Sequence, residues 1–357
     1  MTVATDERLI SADSHVALEH DAIKGHLPSK YHTDYDEAAA AFTQRVFGSA
    51  AGKTNRAKMY QHPAATRAGY HDPVERLKDM DLDGVEVEVL YSEVSGFRYL
   101  YQMRDGGTHA TRAFNDTMND FAAVDPKRLV VSYQIPIHDV AFAISEVERV
   151  AAAGGKSLQL PVFPSELGLP EYYDHSYDPL WSTIQETGLP ICCHIGLNTN
   201  LDDLARRDPT PQRGVMVTMT PLSSAEALGM WILTGTLARF PDLKLVFVEP
   251  GVGWLAWYLM IIDDMATRQR YDFPELAELP SFYFRRNIHV TFIEEDYAIR
   301  LLRDRIGVTN LMWSTDYPHP VCSWPDSRKI AAEQLEGVPA DERELILSGN
   351  AIRVWNL

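Results

Sequence analysis

Asn310-Leu311-Met312-Trp313-Ser314-Thr315-Asp316-Tyr317-Pro318-His319 is a short apolar run that ends in a carboxylate and then a turn. A strand built this way buries its body and presents an acid at its C-terminal end. Three other stretches repeat the arrangement: Leu9-Ile10-Ser11-Ala12-Asp13-Ser14-His15, Pro190-Ile191-Cys192-Cys193-His194 and Leu245-Val246-Phe247-Val248-Glu249. In a parallel barrel the C-terminal ends of all strands converge on one face, and acids and histidines placed there read as an active site.

Working outward, eight Val- and Ile-rich runs can be placed, from Leu9 to His15, Gly84 to Leu90, Leu129 to Ile135, Ser157 to Leu160, Leu189 to His194, Leu243 to Val248, Ile288 to Ile293 and Asn310 to Trp313. Helical patterns alternate with them. Val140 to Ala153 stops at Gly154-Gly155 and Tyr177 to Thr187 stops at Gly188, where glycine supplies the positive φ of a helix end. The alternation predicts an α/β fold, a (β/α)8 TIM barrel, as a single domain over residues 1–357. Two stretches exceed the minimal repeat: Asp21 to His71 after the first strand and Asn198 to Ser224 after the fifth. Both follow C-terminal strand ends, so they are expected to serve as lids or pocket loops, or else as subunit contacts.

Composition bounds the function. With 45% hydrophobic and 23% charged residues the chain is an ordinary globular one, and its formal charge of −17 opposes nucleic acid and anionic membrane surfaces as partners. A small-molecule substrate is expected instead. Cys192 and Cys193 are adjacent in a strand and point to opposite faces, which with only three cysteines argues against a disulfide framework. The N-terminus lacks a basic region followed by an apolar stretch, and no run approaches a membrane span, so a cytoplasmic location is expected.

Asp13 and His15 are one residue apart, so on a strand both face the barrel interior. His194 and Asp316 arrive from the fifth and eighth strands. Two imidazoles and two carboxylates form a donor set for one divalent ion; zinc is the expected one, with manganese and iron as alternatives, whereas calcium or magnesium would not need the histidines. The histidines at 20, 26, 32, 62, 71, 109, 138, 175 and 289 lack such a placement and are read as structural, although His71 and His175 lie near the insertions.

On these residues the chain resembles the amidohydrolase superfamily, in the branch related to aminocarboxymuconate semialdehyde decarboxylase and the aromatic acid decarboxylases. The resemblance spans nearly the whole chain: Ser11-Ala12-Asp13-Ser14-His15-Val16, Arg76 with Met80-Asp81-Leu82-Asp83-Gly84-Val85, Asn115-Asp116, Asp125-Pro126-Lys127-Arg128-Leu129, His194-Ile195-Gly196, Phe240-Pro241-Asp242-Leu243-Lys244, Ser314-Thr315-Asp316-Tyr317-Pro318-His319 and Gly349-Asn350-Ala351. It implies one divalent metal held from strands one, five and eight, and a homodimer. The commoner first-strand pattern is His-x-His; Asp13-x-His15 looks like the carboxylate-x-His form of the aromatic acid decarboxylases. Where the family usually has a histidine after strand six, this chain has Glu249.

Three readings follow. The first is hydrolysis: the metal lowers the pKa of a bound water, Asp316 is the general base, and Glu249 donates to the leaving group or anchors an amino group. The alternative is nonoxidative decarboxylation of an unsaturated or aromatic acid, with Asp316 protonating the ring carbon and Arg98 anchoring a carboxylate. The third is a barrel without catalysis, against which the intact ligand set argues. Tyr91, Arg98, His319 and Trp324 are the expected substrate-binding residues, and Phe97, Trp254 and Tyr317 are further aromatic candidates. Glu19 is given no role.

Overall fold

A computed structural model of the protein describes residues 7–47, 63–92, 98–196, 204–210 and 213–357. Eight strands pair in parallel and in chain order: β1 (Ile10–Val16), β2 (Val87–Ser92), β3 (Leu129–Gln134), β4 (Ser157–Gln159), β5 (Ile191–His194), β6 (Leu245–Val248), β7 (Ile288–Phe292) and β8 (Leu311–Trp313). All eight fall on the runs expected from sequence. Each strand is followed by a main helix packed on the barrel, some with further helices beside it: α1 (Pro73–Asp83), α2 (Gly107–Ala122), α3 (Val140–Ala152), α4 (Asp178–Thr187), α5 (Ser223–Leu233), α6 (Leu255–Arg268), α7 (Asp296–Ile306) and α8 (Ser327–Gln334). This is the (β/α)8 barrel.

Local chemistry sets the helix ends. Asp72 caps α1 by accepting from the N–H groups of Val74 and Glu75, and Gly84 closes it at φ 75°. Asp139 caps α3, and Gly188 closes α4 at φ 68°. The sheet's outer face and the helices enclose one apolar layer that includes Leu90, Leu158, Cys193 and Phe247. Inside the barrel sits a second cluster, with Ile10, Ala12, Val89, Cys192, Val246 and Met312. Cys192 and Cys193 thus divide between the two, as strand alternation requires. The C-terminal residues Ala351, Val354 and Trp355 join the interior cluster and plug the end where the strands begin.

One irregularity positions the site. Ile10 and Ser11 pair with Val87 and Glu88, but Ser14, His15 and Val16 pair with Leu90, Tyr91 and Ser92, so β1 carries one extra residue between Ser11 and Ser14. Such a bulge reverses the facing of every later side chain. Ile10 and Ala12 point inward before it, and His15 points inward after it, opposite Tyr91. Hydroxyl groups pin the bulge: Ser11 Oγ donates to the Asp13 carbonyl at 2.7 Å and accepts the Thr315 N–H at 2.9 Å. The barrel closes along the same seam, where Asp316 N–H donates to the Asp13 carbonyl at 3.0 Å and His15 N–H to the Tyr317 carbonyl at 2.6 Å.

The insertion after β1 forms the helices His20–His26 and His32–Phe47. Tyr35 from the second of these bonds Tyr99 across the loop after β2 at 2.9 Å, so the insertion packs over the C-terminal strand ends. The insertion after β5 falls in part outside the described residues; its described portion includes the helix Gly214–Met219. Among the described residues no helix is long and apolar enough to cross a membrane.

Candidate active site

The strand ends bring the four expected ligand residues together. His15 Nδ1 lies 3.2 Å from the Ser92 carbonyl, and His194 Nδ1 lies 2.8 Å from the Ile195 carbonyl. A carbonyl only accepts, so each Nδ1 carries a proton and each Nε2 is left with a lone pair. Those two Nε2 atoms face each other at 3.1 Å. Asp13 Oδ1 stands 3.5 Å from His15 Nε2 and 3.4 Å from His194 Nε2, and Asp316 Oδ1 is 3.3 Å from His15 Nε2. Neither oxygen of Asp13 or of Asp316 has a hydrogen-bond donor, although both residues are fully buried. Buried carboxylates without donors are costly unless a cation compensates them. Acceptors therefore meet acceptors, and two imidazole nitrogens with two carboxylates are a fitting set for a divalent transition metal. Their outer Nδ1–H groups are already engaged by backbone carbonyls, the usual way a metal-binding histidine is oriented.

Protonation is the other way to relieve this crowding. Burial works against a charge on His194, but the Asp13 carboxylate outweighs it and pushes the imidazole up to about 9. At Asp316 burial is again opposed, here by His319 and His15, which hold its carboxyl well below the usual range. Glu249 completes the ring of acids, with a carboxylate oxygen within 4.8 Å of the ligand atoms of Asp13 and Asp316. Burial, and then the charge on Asp316, push Glu249 up to about 8.

Glu249 and Asp316 both have left-handed backbones, at φ 59° and φ 55°. Side chains other than glycine seldom adopt this conformation, and it gathers at functional sites when neighbouring bonds enforce it. Here Glu249 N–H donates to Thr291 Oγ1 at 2.8 Å, and Asp316 N–H is held by Asp13. His319 stacks on the His15 ring at 4.0 Å between centroids and sets Nδ1 2.8 Å from Asp316 Oδ1, without the alignment of a hydrogen bond.

A cavity of about 270 Å³ opens beside His194, at the small end of sites that hold organic ligands. Phe42 from the first insertion and Phe163 give it apolar walls, and Ser92, Arg98 and Gln159 give it polar ones. Of the expected substrate-binding residues Arg98 lines this cavity, whereas His319 lies against His15 and Asp316 and is not among the lining residues. β2 runs on to Ser92, so the Tyr91 ring lies inside the barrel, wholly buried, 5.4 Å from the His194 ring. Trp324 is also elsewhere, donating its indole N–H to the Asp79 carbonyl at 3.1 Å and packing on Tyr317. Tyr317 itself donates its hydroxyl to Asp79 Oδ2 at 2.6 Å. Trp254 bonds the Pro250 carbonyl at 2.8 Å, and Phe97 lies outside the described residues. His71 and His175 are exposed and apart from the ligand cluster, and Glu19 is exposed beside His71.

Sequence reading missed Gln134 and Gln159. Both follow inward-facing serines by two residues, a signal that strand alternation offered. Both hold buried side-chain atoms without partners, as do Tyr91 and Ser92.

The family model described as Amidohydrolase matches residues 25–357. The chain belongs to the amidohydrolase family. The match begins beyond β1, so the Asp13-x-His15 pair stands outside it. Among solved structures, 5-carboxyvanillate decarboxylase from Sphingomonas paucimobilis is 25% identical, with 99% of this chain and 100% of the other covered and a TM-score of 0.75. Two more distant likenesses speak for the fold. One is 5-carboxyvanillate decarboxylase from Novosphingobium aromaticivorans, bearing manganese and 3-methoxy-4-hydroxy-5-nitrobenzoic acid, at 17% identity, 99% and 98% coverage and TM-score 0.76. The other is dihydroxybenzoic acid decarboxylase from Polaromonas sp. JS666, bearing manganese and 2-nitroresorcinol, at 18% identity, 98% and 97% coverage and TM-score 0.71. This amidohydrolase is an enzyme of the hydrolase or carboxy-lyase kind.

Proposed function

We propose that the protein is a divalent-metal-dependent, nonoxidative decarboxylase of a small hydroxylated aromatic acid. The observation that carries this reading is the convergence of Asp13, His15, His194 and Asp316 as buried acceptors without donors. The likeness to a 5-carboxyvanillate decarboxylase over 99% of the chain then favours carboxy-lyase chemistry over the hydrolysis that the sequence put first.

Those four residues would hold the ion, with Glu249 beside them. A divalent cation there would supply a fixed positive charge that attracts the substrate's anionic oxygens and stabilises negative charge developing on the ring. Manganese in two of the fold neighbours makes Mn2+ the first ion to test, ahead of the zinc suggested by the donor set alone.

The reaction breaks the ring carbon–carboxylate bond, leaves its electron pair on the ring carbon, adds one proton there and releases CO2. We assign delivery of that proton to Asp316, whose Oδ1 has the His319 Nδ1 at 2.8 Å as its neighbouring cation. Stacking on His15 holds the His319 ring in place there. The cavity beside His194 takes the ring, with Phe42 and Phe163 against its faces and Ser92 and Gln159 toward its oxygens. Arg98 is assigned to a substrate carboxylate.

The test is to incubate Mn2+-loaded protein with 5-carboxyvanillate and 2,6-dihydroxybenzoate, and in parallel with amide and lactone analogues, in D2O and in 18O-labelled water. Release of CO2 with deuterium at the vacated ring carbon is the expected result. Solvent 18O in a product formed without CO2 would establish hydrolysis and overturn the proposal.

A further inference from the structure

We propose that Arg76 is a positioning residue that keeps the β1 ligands and Asp316 in register, so that metal affinity depends on it although it touches no ligand side chain. The inference rests on the proposed use of the strand ends as a metal site.

Arg76 lies on α1, one layer outside the barrel, and is wholly buried. Its Nη1 donates to the His15 carbonyl at 2.9 Å and to the Gly69 carbonyl at 3.1 Å, and its Nε donates to Glu88 Oε2 at 2.6 Å. The guanidinium carbon sits 4.3 Å from the centre of the Tyr317 ring. One side chain therefore joins the end of β1, the turn before α1, strand β2 and the residue that follows Asp316. The His15 N–H to Tyr317 carbonyl bond, which closes the barrel at this point, lies between two of those contacts.

The remaining contacts hold the arrangement from behind. The Tyr317 hydroxyl is fixed by Asp79, and Asp79 is in turn bonded by Arg67 Nε at 2.9 Å. Gly69 lets the turn approach closely, since a Cβ there would stand 2.9 Å from Arg76 Cα and 2.5 Å from Asp79 Oδ2. Glu88 neutralises the Arg76 charge within the wall, which leaves geometry rather than long-range charge as the effect on the ligands. The bulge in β1 sharpens the need for it. Asp13 and His15 face inward only because β1 carries an extra residue, and the ladder with β2 ends at Val16, after which Ala17 N–H turns to the Tyr70 carbonyl at 3.0 Å. A planar fork with several fixed donors can do this, and a lysine with one ammonium cannot reach the His15 carbonyl, the Gly69 carbonyl and Glu88 together.

The experiment compares Mn2+ affinity, by titration of the metal-stripped full-length protein, in wild type, Arg76→Lys, Tyr317→Phe and Arg149→Lys. Arg149 serves as control because it forms a comparable ion-pair network with Glu146 and Asp116 on α2 and α3, away from the site. Thermal midpoints without metal are recorded alongside. Arg76→Lys is expected to weaken Mn2+ by roughly 10- to 100-fold, the range seen when groups that orient metal ligands are removed. Tyr317→Phe keeps the ring beneath the guanidinium, loses the bond to Asp79, and is expected to weaken Mn2+ less. Arg149→Lys should lower the midpoint and leave the affinity unchanged. The inference is overturned if Arg76→Lys loses stability while binding Mn2+ as wild type does, or if Arg149→Lys weakens binding equally. Failure of wild type to bind Mn2+ or Zn2+ would instead overturn the proposed function, and this inference with it.

Discussion

Where the strands begin, Asn287, Asn310 and Asn350 each give amide hydrogens to two backbone carbonyls, Asn310 for example to those of Arg285 and Ile288 at 3.0 and 2.7 Å. Where the strands end, Asp13 and Asp316 present four buried carboxylate oxygens and no donor. Both ends of the barrel bury polar groups, so burial alone does not separate them. What differs is how far they are satisfied: His289 Nδ1 and Glu7 Oε2 are isolated unpartnered atoms at the first end, whereas those at the second form a cluster. At the first end each amide bridges a strand start to a neighbouring connection, and Trp355 completes the plug by donating to Ser157 Oγ at 3.1 Å. At the second, Ser92, Gln134 and Gln159 join the two aspartates in keeping unpartnered atoms. Native interiors satisfy nearly all such groups, and an orphaned cluster marks a place where something else binds. The division matches the usual one for this fold, with stability built at one end of the barrel and chemistry at the other.

Two substitutions can break that comparison. Asp316→Asn should leave a folded protein and lower the rate of the decarboxylation by about 10²- to 10⁴-fold, the usual contribution of a positioned acid or base. Steady-state rates and a thermal melt on one preparation check both halves. A variant that unfolds would mean that Asp316 belongs with the structural asparagines. Asn310→Ala makes the smaller change and in the other quantity. It strips donors from two buried carbonyls and should cost about 2 kcal/mol of stability, read from urea midpoints, with kcat unchanged at temperatures where the protein is folded. A fall in kcat without a fall in stability would show that the two ends are not independent.

How much of this was legible in the sequence depends on the range of the interaction involved. All eight strands were, because each is a short apolar run set off by helix-ending residues such as Gly84 and Gly188. Asp13, His15, His194 and Asp316 were legible for the same reason, since a strand end fixes where its last side chain goes. The inward facing of Asp13 and His15 came from simple alternation, yet that alternation also holds Ile10 and Ala12 inward on the same strand, and only the bulge admits both sets. Nothing local in Ser11-Ala12-Asp13-Ser14 announces an extra residue; it follows from pairing with β2 and from Thr315 across the seam. Tyr91 sits where it does because β2 runs two residues further than its apolar pattern, which turns its ring into the barrel beside His194. Trp324 depends on how the chain turns after Asp316, and Arg76 reaches its partners across three segments distant in sequence. Long-range contacts of that kind leave no periodic trace.

One number decides whether the C-terminal strand ends form a metal site, the count of divalent ions bound there per chain. Mn2+ titrated into metal-stripped protein, with free Mn2+ followed by its EPR signal, should saturate at one ion per chain. Asp13→Asn and His194→Asn should each abolish that uptake while remaining folded. Wild type that takes up no ion, or variants that bind it as well as wild type does, would contradict the claim that these four buried acceptors exist to share a cation.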